Sequence, residues 1–305
     1  MWQGEITAFV RRLLILSLPF AFIFGGVALI DPFDFVSQNA LLPRSEKEYI
    51  SFHLNYTFWK YLRYQEEPVA DILLGDSRME GLTEAQMQRI TGKPYFNFAF
   101  GGGTVPEMIE TFWFASKQTQ LKSVSFGLNF GRYNAFNNDN RCREAKELID
   151  NPYRYLIHQS VLKSCFYILK DQITGQQSVL TKPMMDKEAF WQHQLNFLAK
   201  TFYRDYAYPA EYYAQLKEVV AFCEAENIEY QFIILPTHVE LQDKIIEYGQ
   251  EEAYQRFLSD LHSLGPVHDF HAKNSQTSNK DLFKDPFHFG SQIGDQVIEQ
   301  VFGRQ

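Results

Sequence analysis

Gly75-Asp76-Ser77 follows the apolar run Ile72–Leu74, so Ser77 stands where a strand gives way to a helix. A serine hydroxyl is a weak nucleophile until a base takes its proton, and that base is most often a histidine held by a carboxylate. "KDPFHFG" (284–290) offers both groups, with Asp285 and His288 three residues apart. That spacing lets the carboxylate reach one ring nitrogen while the other faces a nucleophile, setting the tautomer and stabilising an imidazolium. A tetrahedral intermediate needs N–H donors aimed at its oxyanion. The candidates are the Ser77 backbone N–H at a helix start, the Gly102 backbone, and the Asn129 side chain. Each feature also has a plain reading. About one chain in ten of this length contains Gly-Asp-Ser by chance, and serine is a common helix cap. Asp285 and His288 fit a surface loop, Gly101–Gly103 a tight turn, and Asn129 a turn former.

The elements that would position these residues alternate. Apolar runs at 69–75, 93–100, 123–130, 229–236 and 266–270 read as buried strands. Between them, helical patterns occupy 82–90 (Thr83 as N-cap), 105–119 (Pro106 in the first turn), 211–226 and 245–263, with a last helix from about 291. Alternation of this kind implies an α/β fold with a parallel sheet covered on both faces, and ligands sit beyond the carboxyl ends of such strands. Gly75–Ser77, Gly101–Thr104, Asn129, Pro236–His238 and the loop after Phe270 all fall there. Residues 132–208, Asn-rich and then aromatic, read as an insertion over the strand ends. Its aromatic residues suit either stacking on sugar rings or core packing. His238 suits a substrate contact, a cap or a core position. Arg78 and Arg132 suit either an anionic substrate or plain solvation.

The chain has 305 residues, 45% of them apolar and 16% aromatic, which indicates a folded protein. Its formal net charge of −8 argues against nucleic acid as a partner. Arg11-Arg12 precede eighteen uncharged residues, Leu13–Ile30, with Asp31 and Asp34 directly after. That run reaches the lower end of a membrane span, about 17–25 residues. Ala28-Leu29-Ile30-Asp31 is a poor signal-peptidase site, so the run reads as an uncleaved anchor. The basic side lies before it, which puts residues 1–12 in the cytoplasm, the span at 13–30, a juxtamembrane segment at 31–68 and a catalytic domain at 69–305 outside. The three cysteines, Cys142, Cys165 and Cys223, have no metal-ligand spacing. A Cys142–Cys165 disulfide and three free buried thiols both remain open. No metal or organic cofactor is implied.

Taken together the blocks resemble the SGNH hydrolase superfamily, the GDSL-type esterases. Ile72–Ser77 is similar to its first block. "NFAFGGGT" resembles N-x-G-x-S-G-x-T through Asn97, Gly102 and Thr104. Gly127-Leu128-Asn129 resembles G-x-N-D, with Phe130 where the family has aspartate, and Asp285–His288 resembles D-x-x-H. Arg78 stands where the family's hydrolases often carry leucine. The resemblance implies a flavodoxin-like α/β/α fold with Ser77 as nucleophile, His288 as base and acid, and Asp285 as its orienter. It also implies Ser77 N–H, Gly102 N–H and the Asn129 side chain as oxyanion donors. The anchor and "DPFHFG" resemble the single-pass branch that moves acyl groups onto envelope polymers beside a multipass membrane O-acyltransferase. That branch implies acylated cell-surface polysaccharide as substrate. A simple carbohydrate or lipid esterase, and a non-catalytic glycan-binding scaffold, are the other readings.

Overall fold

The computed structural model describes residues 2–37, 41–181 and 185–303. The chain divides into two compact units, Met1–Leu62 with Glu144–Lys182, and Arg63–Arg143 with Pro183–Gln305. The stretch 132–208 is thus shared, its middle clustering with the N-terminal helices and its two ends with the sheet.

The larger unit is α/β. Strands β1 (Asp71–Gly75), β2 (Phe96–Asn97), β3 (Ser123–Leu128), β4 (Glu229–Ile234) and β5 (Val267–Asp269) form one sheet in the order β2-β1-β3-β4-β5, parallel throughout. This is the flavodoxin-like strand order. Ile72, Leu73, Val124, Phe126, Phe232 and Ile233 are fully buried, which is why these strands read as continuous apolar runs. The chain steps from β1 out to β2, then crosses back over β1 to β3. Right-handed crossovers send those two connections to opposite faces. Accordingly helix Glu84–Thr91 packs with the last helix, Ser291–Phe302, and helix Val105–Gln118 packs with Ala210–Glu226. Two helix starts carry full capping boxes, Thr83 with Gln86 and Thr104 with Glu107, each cap worth about 1 kcal/mol.

Three expectations change. The strand expected over 93–100 keeps only two paired residues, because the Asn97 side chain takes over. Its Nδ2 donates to the carbonyls of Met79 and Leu82, and its Oδ1 accepts from Ala99 N–H. The helix expected over 245–263 is two helices, Val239–Glu247 and Glu251–Leu264, with Gly249 between them at φ +66°. Left-handed backbone ends a helix, and glycine adopts it at little cost. Residues 31–68 contain two helices, Arg44–Leu54 and Tyr56–Glu66.

The smaller unit is helical. Its first helix, Trp2–Ile30, contains a 26-residue stretch, Glu5–Ile30, long and apolar enough to cross a membrane. The base of that helix is firmly tied. Buried Lys47 donates to the carbonyl oxygens of Ile30 and Asp31 and pairs with Asp34. The Asp31 carboxylate, fully buried, accepts from Tyr155 Oη at 2.5 Å and from the backbone of Val36 and Ser37. All three cysteines are free and buried.

Candidate active site

β1 and β3 are adjacent, and their connections leave in opposite directions, so the crevice of the sheet opens beyond their carboxyl ends. Gly75, the last residue of β1, and Gly127, the residue before the last of β3, are cross-strand partners. Both give room to Met79, for a Cβ on Gly75 would lie 2.4 Å from Met79 Cβ and one on Gly127 2.8 Å from it. The paired glycines therefore let the chain turn sharply into the single helical turn Ser77–Glu80. Asp76, not Ser77, caps that turn, its carboxylate accepting from Arg78 N–H. Ser77 is thus free of capping duty, and the dipole behind it is that of one turn only.

Asp285 and His288 are brought together by a second device. Strands β6 (Phe283–Asp285) and β7 (His288–Phe289) form a small antiparallel pair in which Asp285 is the cross-strand partner of His288. The link is Pro286-Phe287, and Asp285 Oδ1 accepts from the N–H groups of Phe287 (2.8 Å) and His288 (3.2 Å). Phe287 and Phe289 are buried, and the Pro286 carbonyl accepts from His238 N–H at 3.0 Å. The turn is consequently pinned at its apex.

These two devices meet. Ser77 Oγ lies 2.7 Å from His288 Nε2, and His288 Nδ1 lies 2.7 and 2.9 Å from the two Asp285 oxygens. Asp285 is 6% exposed, so its charge is held against the ring largely out of water. A carboxylate there accepts the Nδ1 proton and leaves Nε2 to accept from serine. Ser77, Arg78, Glu80, Gly81, Lys284, Asp285, His288 and Phe289 line an open cleft of about 330 Å³. The arrangement can remove the serine proton and return it to a leaving group, the two proton transfers of acyl transfer.

Beneath the serine lies a charge pair that the sequence reading did not assign. Asp76 is 3% exposed and Arg78 6%. Arg78 Nη2 donates to Asp76 Oδ2 at 2.7 Å, and Nε reaches both oxygens at 3.3 Å. Burial alone would raise the Asp76 pKa, but the Arg78 charge and hydrogen bonds, with Arg132 adding to them, leave it below its ordinary value. Arg78 is therefore neither a solvated arginine nor a free cation for substrate. Its charge is matched by Asp76, and its guanidinium lies 6.0 Å from the centre of the Phe287 ring. The available signal was the adjacency of Asp76 and Arg78 around the serine.

Asn129 sits in the same layer, 7% exposed. Its Nδ2 donates to Asp76 Oδ2 at 2.9 Å, and its Oδ1 accepts from Arg132 N–H at 3.0 Å. One amide hydrogen is thus committed, and an amide nitrogen carries two. Gly102 has φ +72°, and its carbonyl accepts from Arg141 Nη2 at 3.1 Å. Arg141 in turn pairs with buried Glu107. The close approach to the strand end belongs to Gly103, where a Cβ would lie 2.5 Å from the Gly75 carbonyl oxygen. Arg132 lies over the Phe202 ring at 4.7 Å. Burial, offset only in part by Asp76, lowers its pKa, with Arg78 and Arg141 adding to the effect.

One expectation, a substrate contact by His238, is corrected. His238 does not line the cleft. It is 2% exposed, accepts from Glu240 N–H through Nδ1 and packs edge-on against Trp191 and Phe283, and burial lowers its pKa. It is a capping, core histidine whose backbone holds the Asp285–His288 turn. Phe130 makes core with Tyr203 and Tyr206 of the insertion, whereas Phe136, Tyr153, Phe166 and Phe197 of the same stretch are exposed. Phe130 stacks on Tyr206 at 4.5 Å and on Tyr203 at 5.8 Å, and meets Tyr254 and Phe257. Aspartate at position 130 would have no place in that cluster.

No protein-family description matches this sequence, and no curated protein matches it. Among solved structures, the chain is similar to a provisionally assigned acylhydrolase from Bacteroides fragilis. The identity is 12% and the TM-score 0.42, over 79% of this chain and 93% of that one. It is also similar to a protein from Streptococcus pneumoniae provisionally described as a platelet activating factor. Here the identity is 11% and the TM-score 0.41, over 84% of this chain and 95% of the other. Likeness this distant says nothing of chemistry, which has to be read from Ser77, His288 and Asp285.

Proposed function

We propose that this protein is a membrane-anchored, extracytoplasmic serine enzyme of the SGNH type that moves acyl groups. The substrate would be an acylated cell-surface polysaccharide or a related acyl ester. The observation that carries the reading is the continuous hydrogen-bonded chain Ser77 Oγ–His288 Nε2, His288 Nδ1–Asp285. Ser77 Oγ attacks the acyl carbonyl as His288 Nε2 takes its proton, and Asp285 stabilises the imidazolium. The tetrahedral oxyanion is met by the Ser77 and Gly102 N–H groups and by the second amide hydrogen of Asn129. His288 then protonates the departing alkoxide, leaving an acyl ester on Ser77. In the second half an acceptor hydroxyl gives its proton to His288 and takes the acyl group, and His288 returns that proton to the departing Ser77 oxygen. A sugar acceptor makes the protein a transferase acting on a polyhydroxylated envelope polymer. Water as acceptor makes it an esterase with the same residues. A multipass O-acyltransferase is the partner that would deliver acyl groups from the cytoplasm.

The test uses the full chain in detergent with p-nitrophenyl acetate and a fluorophosphonate probe. Wild type should turn over the ester and be labelled at Ser77, and Ser77→Ala should do neither. Equal turnover by the two would sink the assignment and leave the non-catalytic scaffold.

A further inference from the structure

We propose that the exposed apolar face of helix Gln159–Thr174 lies on the lipid surface from which the N-terminal helix emerges, a second contact with the membrane in the plane of its headgroups. The proposal rests on reading Glu5–Ile30 as a membrane anchor. Helix Gln159–Thr174 is two-sided. Val161, Ser164, Cys165 and Ile168 are buried, whereas Leu162, Phe166, Leu169 and Ile173 are 37%, 64%, 46% and 82% exposed. At about 100° per residue those four fall in one narrow stripe, spaced as an amphipathic helix requires but turned outward. A soluble surface rarely leaves such a stripe open unless something covers it.

The position of the helix says what covers it. The last turn of the N-terminal helix is buried, with Val27 4% and Ile30 6% exposed. The same helix packs against helices Pro152–Ile157 and Gln159–Thr174 within its own unit. Glu5–Ile30, 26 residues long, measures about 39 Å at 1.5 Å per residue, against about 30 Å of hydrocarbon. A helix of that length whose base is held by Lys47 cannot lift this unit away from the bilayer. Helices that touch it therefore lie at the lipid surface. Tyr153 and Ile157, 83% and 59% exposed, extend the apolar area beyond the stripe. Beyond residue 30, the sheet unit has only Phe136, Met185, Phe197 and Ile246 comparably exposed among the described residues. Lys163 and Lys170 border the stripe on one side. Lys170 lies 6.0 Å from the centre of the Tyr167 ring and donates to Ser178 Oγ. Side chains of this kind cover apolar surface with their stems while the ammonium reaches phosphates, and anionic headgroups favour them. Such a helix binds in the interface plane without crossing.

The test is depth-resolved fluorescence quenching on the full chain in vesicles of phosphatidylcholine and phosphatidylglycerol. An environment-sensitive fluorophore is placed on a single added cysteine in Phe166→Cys, Ile173→Cys, Ile246→Cys and Leu16→Cys, with the unsubstituted chain as background. Positions 166 and 173 should show blue-shifted emission quenched by spin labels near the headgroups. Position 246, an exposed apolar position in the other unit, is recorded for comparison, and each variant is read against its own emission without vesicles. Emission at 166 and 173 that no lipid quencher reaches, with position 16 strongly quenched, would overturn the proposal while leaving the anchor in place. Failure of quenching at position 16 would count against the anchor itself, and the two failures are thus separable. All four substituted side chains are exposed, so the added cysteines remove no core packing.

Discussion

Asp285→Asn separates orientation from packing at the candidate site. Asparagine keeps an oxygen where Asp285 Oδ1 accepts from Phe287 and His288 N–H, so the turn should survive. Its other atom becomes an NH₂ group facing His288 Nδ1, now 2.7 Å from Asp285 Oδ2. Two donors cannot face each other, so the ring must carry its proton on Nε2, the atom 2.7 Å from Ser77 Oγ. A histidine in that tautomer cannot accept the serine proton. The same exchange in a serine protease lowers kcat about 10⁴-fold, which is about 5.4 kcal/mol of transition-state stabilisation at 1.36 kcal/mol per decade. The stability cost is only that of weaker hydrogen bonds, about 1–2 kcal/mol. Ester turnover of wild type and variant, measured beside their urea denaturation curves, gives both quantities. A variant that stays folded and keeps its activity within about tenfold would refute the general-base role of His288 and the orienting role of Asp285 together.

Arg78→Leu leaves the buried Asp76 carboxylate without its partner and should cost about 3–5 kcal/mol, read from denaturant midpoints; a loss under about 1 kcal/mol would mean the pair is solvated. The Asp76 pKa is depressed in the folded protein, so its contribution is complete above the unfolded value of about 3.9 and is lost as pH falls through the lower folded value. Below about pH 4 wild type should therefore lose stability more steeply than the double variant Asp76→Asn/Arg78→Leu, and parallel acid slopes would argue against the depressed pKa. Gly75→Ala should destabilise by about 1–3 kcal/mol through overpacking on Met79, seen as a lower melting temperature, and an unchanged melting temperature would mean the turn relaxes freely.

What could be read from the sequence followed how local its cause was. β1, β3 and β4 are buried on both faces and announce themselves as apolar runs. β2 does not, since its pairing ends where the Asn97 side chain captures two carbonyls, and no propensity encodes that. The split at Gly249 was readable in principle from one glycine inside a helical pattern. Helices Arg44–Leu54 and Tyr56–Glu66 were hidden by a mixture of aromatic and charged residues whose burial depends on distant partners. At the site, the three-residue spacing of Asp285 and His288 reflects a two-residue turn and was local. The Asp76–Arg78–Asn129 layer was not, because charged residues beside a serine look like surface until a fold encloses them. His238 shows the converse: a strand-end histidine looks functional until Trp191 and Phe283 close over it.

Ser77 and His288 are 211 residues apart in the chain, and the β6–β7 pair that carries the histidine follows all five strands of the sheet. Synthesis delivers the sheet strands first and this hairpin after them. During early folding, the serine therefore stands at its strand end without a base. Only when the C-terminal segment closes over it, against the entropy of a very long loop, does its hydroxyl gain a proton acceptor. The contact between Ser77 and His288 therefore forms only after every strand of the sheet has been made. Truncation of the final two dozen residues would leave a largely intact sheet with an inert serine.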